Sequence, residues 1–170
     1  MTKNNEQLLS FVSQQGLDKD SHNQALSMVL DKVLDIFNCD RAWCLFPCDP
    51  EADYWGVPIE STRYSWPGVK NVELDMPTVE SDIETFNLHL NANRPITLGI
   101  NCDFPVPEYL TKVFSVKSQI ASVIYPKQGK PWMFGLHFCE DHHDFIDSEI
   151  ELFDLLGKEL AKTFDNLIFK

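Results

Sequence analysis

The chain predicts an α+β sandwich, an antiparallel sheet with helices covering its faces. Three observations carry this. Short apolar runs stand in neighbouring pairs separated by compact, turn-rich connections, as antiparallel strands do. Amphipathic stretches with a helical repeat stand before the first pair and after the last. The 170 residues suit one domain that buries a core without disulfide staples.

The elements follow in order. Leu8, Phe11 and Val12 form a short helical stripe, broken at Gly16. Ser21 and Gln24 have capping-box spacing, and Ala25, Leu26, Val29, Leu30, Val33, Leu34, Ile36 and Phe37 give the next helix a wide apolar face. Asn38 suits a left-handed stop. Ala42 to Pro47 reads as a buried strand, Pro47 to Pro50 as a turn, and Tyr54 to Tyr64 as a longer strand. Pro58 inside it marks a sheet edge or a bulge. Val69 to Pro77 is irregular. Val79 to Leu90 is helical, Pro95 to Gly99 a minor strand, Asn101 to Glu108 a loop, and Tyr109 to Phe114 one or two helical turns. Ser118 to Pro126 and Trp132 to Cys139 are two strands joined by a hairpin loop. Asp147 is a suitable N-cap for a last helix carrying Ile150, Phe153, Leu156, Leu160, Phe164 and Leu167, with Leu152 and Leu155 as a second stripe. That second stripe exceeds what packing on one sheet needs, and points to a partner.

Composition narrows the function. A formal charge of −12 repels phosphate backbones and anionic lipid, which argues against nucleic-acid and membrane partners. No run approaches the length of a membrane span, and the polar N-terminus lacks a signal core. Five cysteines, an odd number without a Cys-x-x-Cys pair, suit reduced thiols, so a cytoplasmic setting is expected. No phosphate loop, dinucleotide fingerprint, Gly-x-Ser-x-Gly or His-Glu-x-x-His occurs. The pairs Glu60 and Glu73, or Asp49 and Asp53, have no spacing logic for acid–base work.

Several phrases are more specific than this pattern. They are Cys39-Asp-Arg-Ala-Trp43, Val57-Pro-Ile-Glu-Ser-Thr-Arg63 followed by Trp66-Pro-Gly68, Val116-Lys-Ser-Gln-Ile-Ala121, Tyr125-Pro-Lys127, and Lys130-Pro-Trp-Met-Phe-Gly-Leu-His137. Together they resemble a GAF domain of the type found in bacterial sensor histidine kinases and related multi-sensor signalling proteins. The resemblance runs over roughly Asn23 to Leu167. It implies a GAF-like antiparallel sheet of five or six strands with helices on both faces and the N- and C-terminal helices packed together. The chain would be a single domain over 1–170, with its core over about 23–167 and an N-terminal helical extension over 1–20. The implied function is a sensory or regulatory module of two-component-type signal transduction, itself non-catalytic. It would form a homodimer, bind an unidentified small molecule between the sheet and the 71–107 segment, and pass the signal through its terminal helices to a histidine kinase or other output domain.

On this resemblance the pocket wall comprises Trp43, Trp55, Arg63, Tyr125 and His137. His137-Phe-Cys139 is similar to a strand ending His-Gln-Cys in bilin-binding relatives of phytochrome, where the histidine faces the chromophore. No Cys-His attachment pair stands in the expected helical region, so a covalent bilin is not expected and the cofactor stays unknown. His137, Cys139, His142 and His143 are residue types that hold zinc. No second ligand pair recurs, and the plainer reading is one strand histidine and two solvated ones. Two alternatives remain: a ligand-free GAF dimerisation scaffold, and a cysteine enzyme like the free methionine sulfoxide reductases, using Cys102 and Cys139.

Overall fold

The structure is a computed structural model and describes residues 6–7, 9–11, 22–69 and 75–165. The elements are α1 (His22–Phe37), β1 (Arg41–Phe46), β2 (Tyr54–Thr62), β3 (Met76–Pro77), α2 (Glu80–Leu90), β4 (Ile96–Leu98), α3 (Glu108–Phe114), β5 (Ser118–Ile124), β6 (Trp132–Phe138) and α4 (Asp147–Phe164). The strands form one six-stranded sheet in the order β3-β2-β1-β6-β5-β4, and every neighbouring pair is antiparallel. Hairpin connections join β1 to β2 and β5 to β6. The central β1–β6 pairing closes the sheet between chain segments almost a hundred residues apart.

One face of the sheet carries both terminal helices. Leu26, Val29, Leu30, Val33, Leu34 and Phe37 of α1 share a buried cluster with Leu152, Phe153, Leu156, Leu160 and Phe164 of α4. The sheet contributes Ala42, Cys44, Ile59, Ile120, Ile124, Trp132, Phe134, Leu136 and Phe138, residues two apart along their strands as the pleat requires. Phe153 stacks on Phe134 at 4.5 Å between ring centroids and meets the edge of Phe37 at 6.3 Å, which ties the two helices together. Each such side chain contributes about 1.5–3 kcal/mol on burial, so this face dominates the stability of the fold. Residues 6–7 and 9–11 are helical, and Leu9 and Phe11 pack against the same cluster. Ser21 and the rest of the predicted extension, with Leu167, lie outside the described residues.

Local chemistry sets the ends. Asn38 takes a left-handed conformation, φ 49°, and Cys39 N–H donates to the Leu34 carbonyl at 3.2 Å, which stops α1 where expected. At α4 the N-cap is Ile146, one residue before the predicted Asp147. Glu149 reaches back to accept the Ile146 N–H at 3.1 Å, so a carboxylate three residues on does the capping. Leu152 packs inside, in the cluster that α1, α4 and the sheet share, and Leu155 of the predicted second stripe stays open.

The predicted irregularity at Pro58 is a bulge. Cys44 pairs with Ile59 but Phe46 with Gly56, so β2 spends one residue more than β1 over this stretch. The extra residue changes the parity of β2. Trp55 and Val57 before the bulge and Glu60 after it therefore face the same side. That side, covered by α2 and α3, holds the cavity.

Candidate functional site

The cavity lies between the sheet and helices α2 and α3. Its free volume is about 80 Å³, well below the range of about 300–1,000 Å³ usual for occupied small-molecule sites. Alternation along each strand supplies the floor: Arg41, Trp43 and Leu45 from β1, Met133 and His137 from β6, Gln119 from β5. The helical repeat supplies the wall, with Asp82, Thr85 and Phe86 of α2 at three- and four-residue spacing, and Tyr109, Leu110 and Phe114 of α3.

Polar groups gather at one end, in a row across three strands. Arg41 pairs with His137 across β1 and β6, and His137 with Gln119 across β6 and β5. Arg41 Nη1 lies 3.3 Å from His137 Nδ1, and His137 Nε2 lies 2.9 Å from Gln119 Oε1. A guanidinium only donates, so Nδ1 accepts, and the histidine proton sits on Nε2 and points at the amide oxygen. Burial, reinforced by the Arg41 charge, pushes the His137 pKa down to about 3. The ring is neutral at ordinary pH. Arg41 also donates from Nε to the Trp66 carbonyl at 3.1 Å and from Nη2 to the Phe114 carbonyl at 2.6 Å. One buried cation therefore fastens the sheet to the end of α3 and to the loop after β2.

The aromatic end has its own logic. Trp43 lies across Gly135 of β6, where an added Cβ would come within 2.2 Å of its Cζ2. Its ring tilts against His137 at 5.2 Å. Trp55 meets the edge of Phe86 at 6.3 Å and donates its indole N–H to Asp82 Oδ2 at 3.0 Å. Asp82 also accepts the Val79 N–H at 3.1 Å, so it caps α2 and holds a cavity wall at once. The Trp43 indole nitrogen is buried and has no hydrogen-bond partner among the described residues. Tryptophan N–H groups normally find one when buried.

Trp43, Trp55 and His137 thus line one cavity, and the other two predicted wall residues lie elsewhere. Arg63 follows the last residue of β2 and turns over the C-terminus of α1. It donates to the Leu34 carbonyl at 3.1 Å and the Cys39 carbonyl at 3.4 Å, and pairs with Asp35 at 3.0 Å. A cation complements the exposed carbonyls of a helix end. Tyr125 stands just beyond β5, 57% exposed, with its hydroxyl 3.4 Å from the Leu90 carbonyl in a different cleft. Arg41, Asp82 and Gln119 were missed as site residues. Period-two spacing from Trp43 carries the signal for Arg41, which lies in the Cys39-Asp-Arg-Ala-Trp43 stretch.

The zinc-type residues do not converge. His137 is held by Arg41 and Gln119, Cys139 Sγ contacts the Phe114 carbonyl at 3.8 Å, and His143 lies 3.1 Å from Glu149 and stacks on Phe138 at 4.1 Å. His142 is exposed in the loop. Among the described residues no three His, Cys, Asp or Glu side chains gather as a metal site would need. The thiols are poorly placed for nucleophilic work. Burial raises Cys39 and Cys44, lifts Cys48 to about 12 and Cys139 to about 11, and Cys102 is raised as well, so each is protonated near neutrality.

No family model matches the chain, and no curated protein matches its sequence. Solved structures do. The phycoerythrobilin-bound GAF domain from a cyanobacterial phytochrome superposes with a TM-score of 0.74 at 17% identity, over 95% of each chain. The phycocyanobilin-bound GAF domain from a cyanobacterial phytochrome gives 0.74 at 17% identity, over 97% of this chain and 96% of that one. A far-red absorbing dark state with bound biliverdin IXa gives 0.75 at 12% identity, over 96% and 98%. Identity this low speaks for the fold, and the fold is that of a GAF domain. The comparison corrects one expectation. A covalent bilin is not expected from the sequence, for want of an attachment pair, yet each of these three structures holds a bilin.

Proposed function

We propose that this chain is a sensory GAF domain whose cavity binds a long, largely apolar small molecule with hydrogen-bond acceptors, and that the ligand is of the bilin class. The observation that carries this is the Trp43 indole N–H, buried at an aromatic cavity without a hydrogen-bond partner among the described residues. The surrounding residue types suit such a pigment, for which α2 and α3 would have to move outward from the sheet. Trp43, Trp55, Phe86 and Tyr109 offer apolar and π surface to a conjugated ligand. The Trp43 N–H and the Arg41–His137–Gln119 row place donors beside its carbonyl, carboxylate or pyrrole groups. A bound bilin would supply light absorption, and the residues named here would bind it, orient it and exclude water.

Signalling in this reading runs through α1 and α4, which share one buried cluster on the opposite face of the sheet. A ligand shifts their arrangement only as far as it prefers one arrangement over another. We extend the proposal to a homodimer formed by these helices, acting in a two-component setting with a histidine kinase or comparable output domain.

The test is to produce the protein with biliverdin IXa or phycocyanobilin and record its absorption spectrum. A protein-dependent band, shifted and sharpened against free pigment, is expected, and Trp43→Phe should lower bilin affinity by about five- to thirtyfold, the loss of a 1–2 kcal/mol hydrogen bond. Fluorescence of a denaturing gel then reports whether the pigment is covalently attached. Free-pigment spectra with both bilins would overturn the ligand class. Native mass spectrometry showing no retained small molecule after expression in several hosts would point instead to a scaffold.

A further inference from the structure

A second cleft opens where α2 ends, and two features of the chain create it. β4 pairs with β5 only from Gln119 to Ala121. The residue before β4 is Pro95, which has no N–H to continue the ladder, and the chain turns away there. Among the described residues, the edge of β5 from Ser122 to Ile124 therefore has no strand beside it on that side. Across from it α4 carries Gly157, whose missing side chain leaves the Ser122 hydroxyl facing the helix backbone; an added Cβ would lie 3.3 Å from Ser122 Oγ. The cleft between them runs from the end of α2 to α4 and is lined by His89, Arg94, Ser122, Tyr125, Asp154 and Lys158 among others.

His89 makes this more than a surface hollow. It continues the stripe Asp82, Thr85, Phe86 down α2 and is 2% exposed. Its Nδ1 lies 2.9 Å from the Thr85 carbonyl. A carbonyl only accepts, so Nδ1 carries the proton and Nε2 presents a lone pair. That nitrogen is buried and has no hydrogen-bond partner among the described residues. Burial lowers the pKa of the ring, which keeps the lone pair free. The charges around the cleft are already matched: Arg94 binds Asp103 at 3.1 Å and Lys158 binds Asp154 at 2.6 Å. The geometry asks for an uncharged molecule that donates one hydrogen bond, and an open strand edge pairs best with a group that both donates and accepts.

We propose that this cleft is a second binding site, for a small uncharged carboxamide or peptide-like amide whose N–H donates to His89 Nε2 beside the open edge of β5. The site has no lining residue in common with the main cavity, although α2 and β5 contribute to both. Acetamide is the probe, and methyl acetate, similar in shape but without an N–H, is its control. Long-range ¹H–¹⁵N correlation of the histidine rings reads the nitrogen directly. Acetamide should move His89 Nε2 upfield in a saturable way and shift the amides of Ser122 to Ile124, and methyl acetate should do neither. His89→Phe should abolish the amide shifts. Ala161→Leu, which fills the cleft from α4 and leaves the His89–Thr85 bond in place, should weaken binding at least tenfold and decides the matter if His89→Phe does not fold. Equal responses to both probes, a response without saturation, insensitivity to Ala161→Leu, or shifts at Trp43 and Leu45 in place of the β5 edge would each overturn the proposal.

Discussion

Gly135 is a glycine because Trp43 occupies the place where its side chain would stand. The register puts the two residues directly opposite on β1 and β6. Gly135→Ala should drive the indole out of position and destabilise the fold by roughly 1–3 kcal/mol, the usual cost of overpacking. Urea unfolding followed by tryptophan fluorescence measures both effects, and an unchanged midpoint would place the indole elsewhere. His137 carries a second residue-scale consequence. Its pKa falls from 6.5 in the unfolded chain to about 3 in the fold, through burial first and Arg41 second. Below pH 6.5 the unfolded state therefore binds a proton that the folded state refuses. The stability due to the neutral ring is complete above pH 6.5 and is lost as pH falls toward 3. The window from pH 6.5 to about 4.5 lies above the carboxylates, and His89, whose pKa burial also lowers, adds its own slope there. There His137→Gln should flatten the slope of unfolding free energy against pH, whatever it does to the absolute value. A slope identical to that of the unaltered protein would show that the ring is protonated in the fold.

At the scale of elements, the bulge in β2 and the contacts of Arg41 decide where the cavity lies. Without the extra residue opposite Cys44–Phe46, Trp55 and Glu60 would face opposite sides of the sheet. Arg41 then binds three elements that share no backbone ladder with one another: β1 itself, the loop at Trp66 and the last turn of α3 at Phe114. Arg41→Met would leave two carbonyls and His137 Nδ1 without their donor. A loss of roughly 1.5–3 kcal/mol is expected, the scale of hydrogen bonds to a charged group. Amide exchange should rise in α3 before it rises in α1 or α4. Arg41→Lys should restore little, because an ammonium lacks the planar fork that reaches three acceptors at once. Uniform exchange across all helices would mean that α3 is held by its apolar contacts, Leu110 and Phe114 among them, and not by the arginine.

For the molecule as a whole, the sheet divides two tasks: the α1–α4 face holds the fold together and the α2–α3 face encloses the cavity. The proposed dimer belongs to the first face, where Met28 of α1 and Leu155 of α4 stay open to solvent, at 48% and 38% exposure. Light scattering should give twice the chain mass, and Met28→Asp with Leu155→Asp should give a monomer with an unchanged far-ultraviolet circular dichroism spectrum. A monomer before substitution would remove the helical route of signalling proposed here. Apart from β3 at Met76–Pro77, which lies in the stretch expected to be irregular and forms only by pairing with Tyr54 and Trp55 of β2, the elements were legible in the sequence because each rests on local physics: the repeat of α1, the turn at Asn38, the hairpin between β5 and β6, the proline inside β2. Trp43, Trp55 and His137 could be nominated because strand residues two apart share a face. Arg63 and Tyr125 could not be placed, since both stand just past a strand end, where pleat alternation no longer dictates direction. The row from Arg41 to Gln119, and the Trp43 N–H and His89 lone pair that have no partner among the described residues, arise from pairings across 18 to 96 residues of chain and from burial by distant segments. Sequence by itself determined which residues form strands and helices, because propensity and periodicity act over a few residues. Which of their polar groups meet, and which are left facing a cavity, only the tertiary structure decided, because register and burial are properties of the assembled sheet.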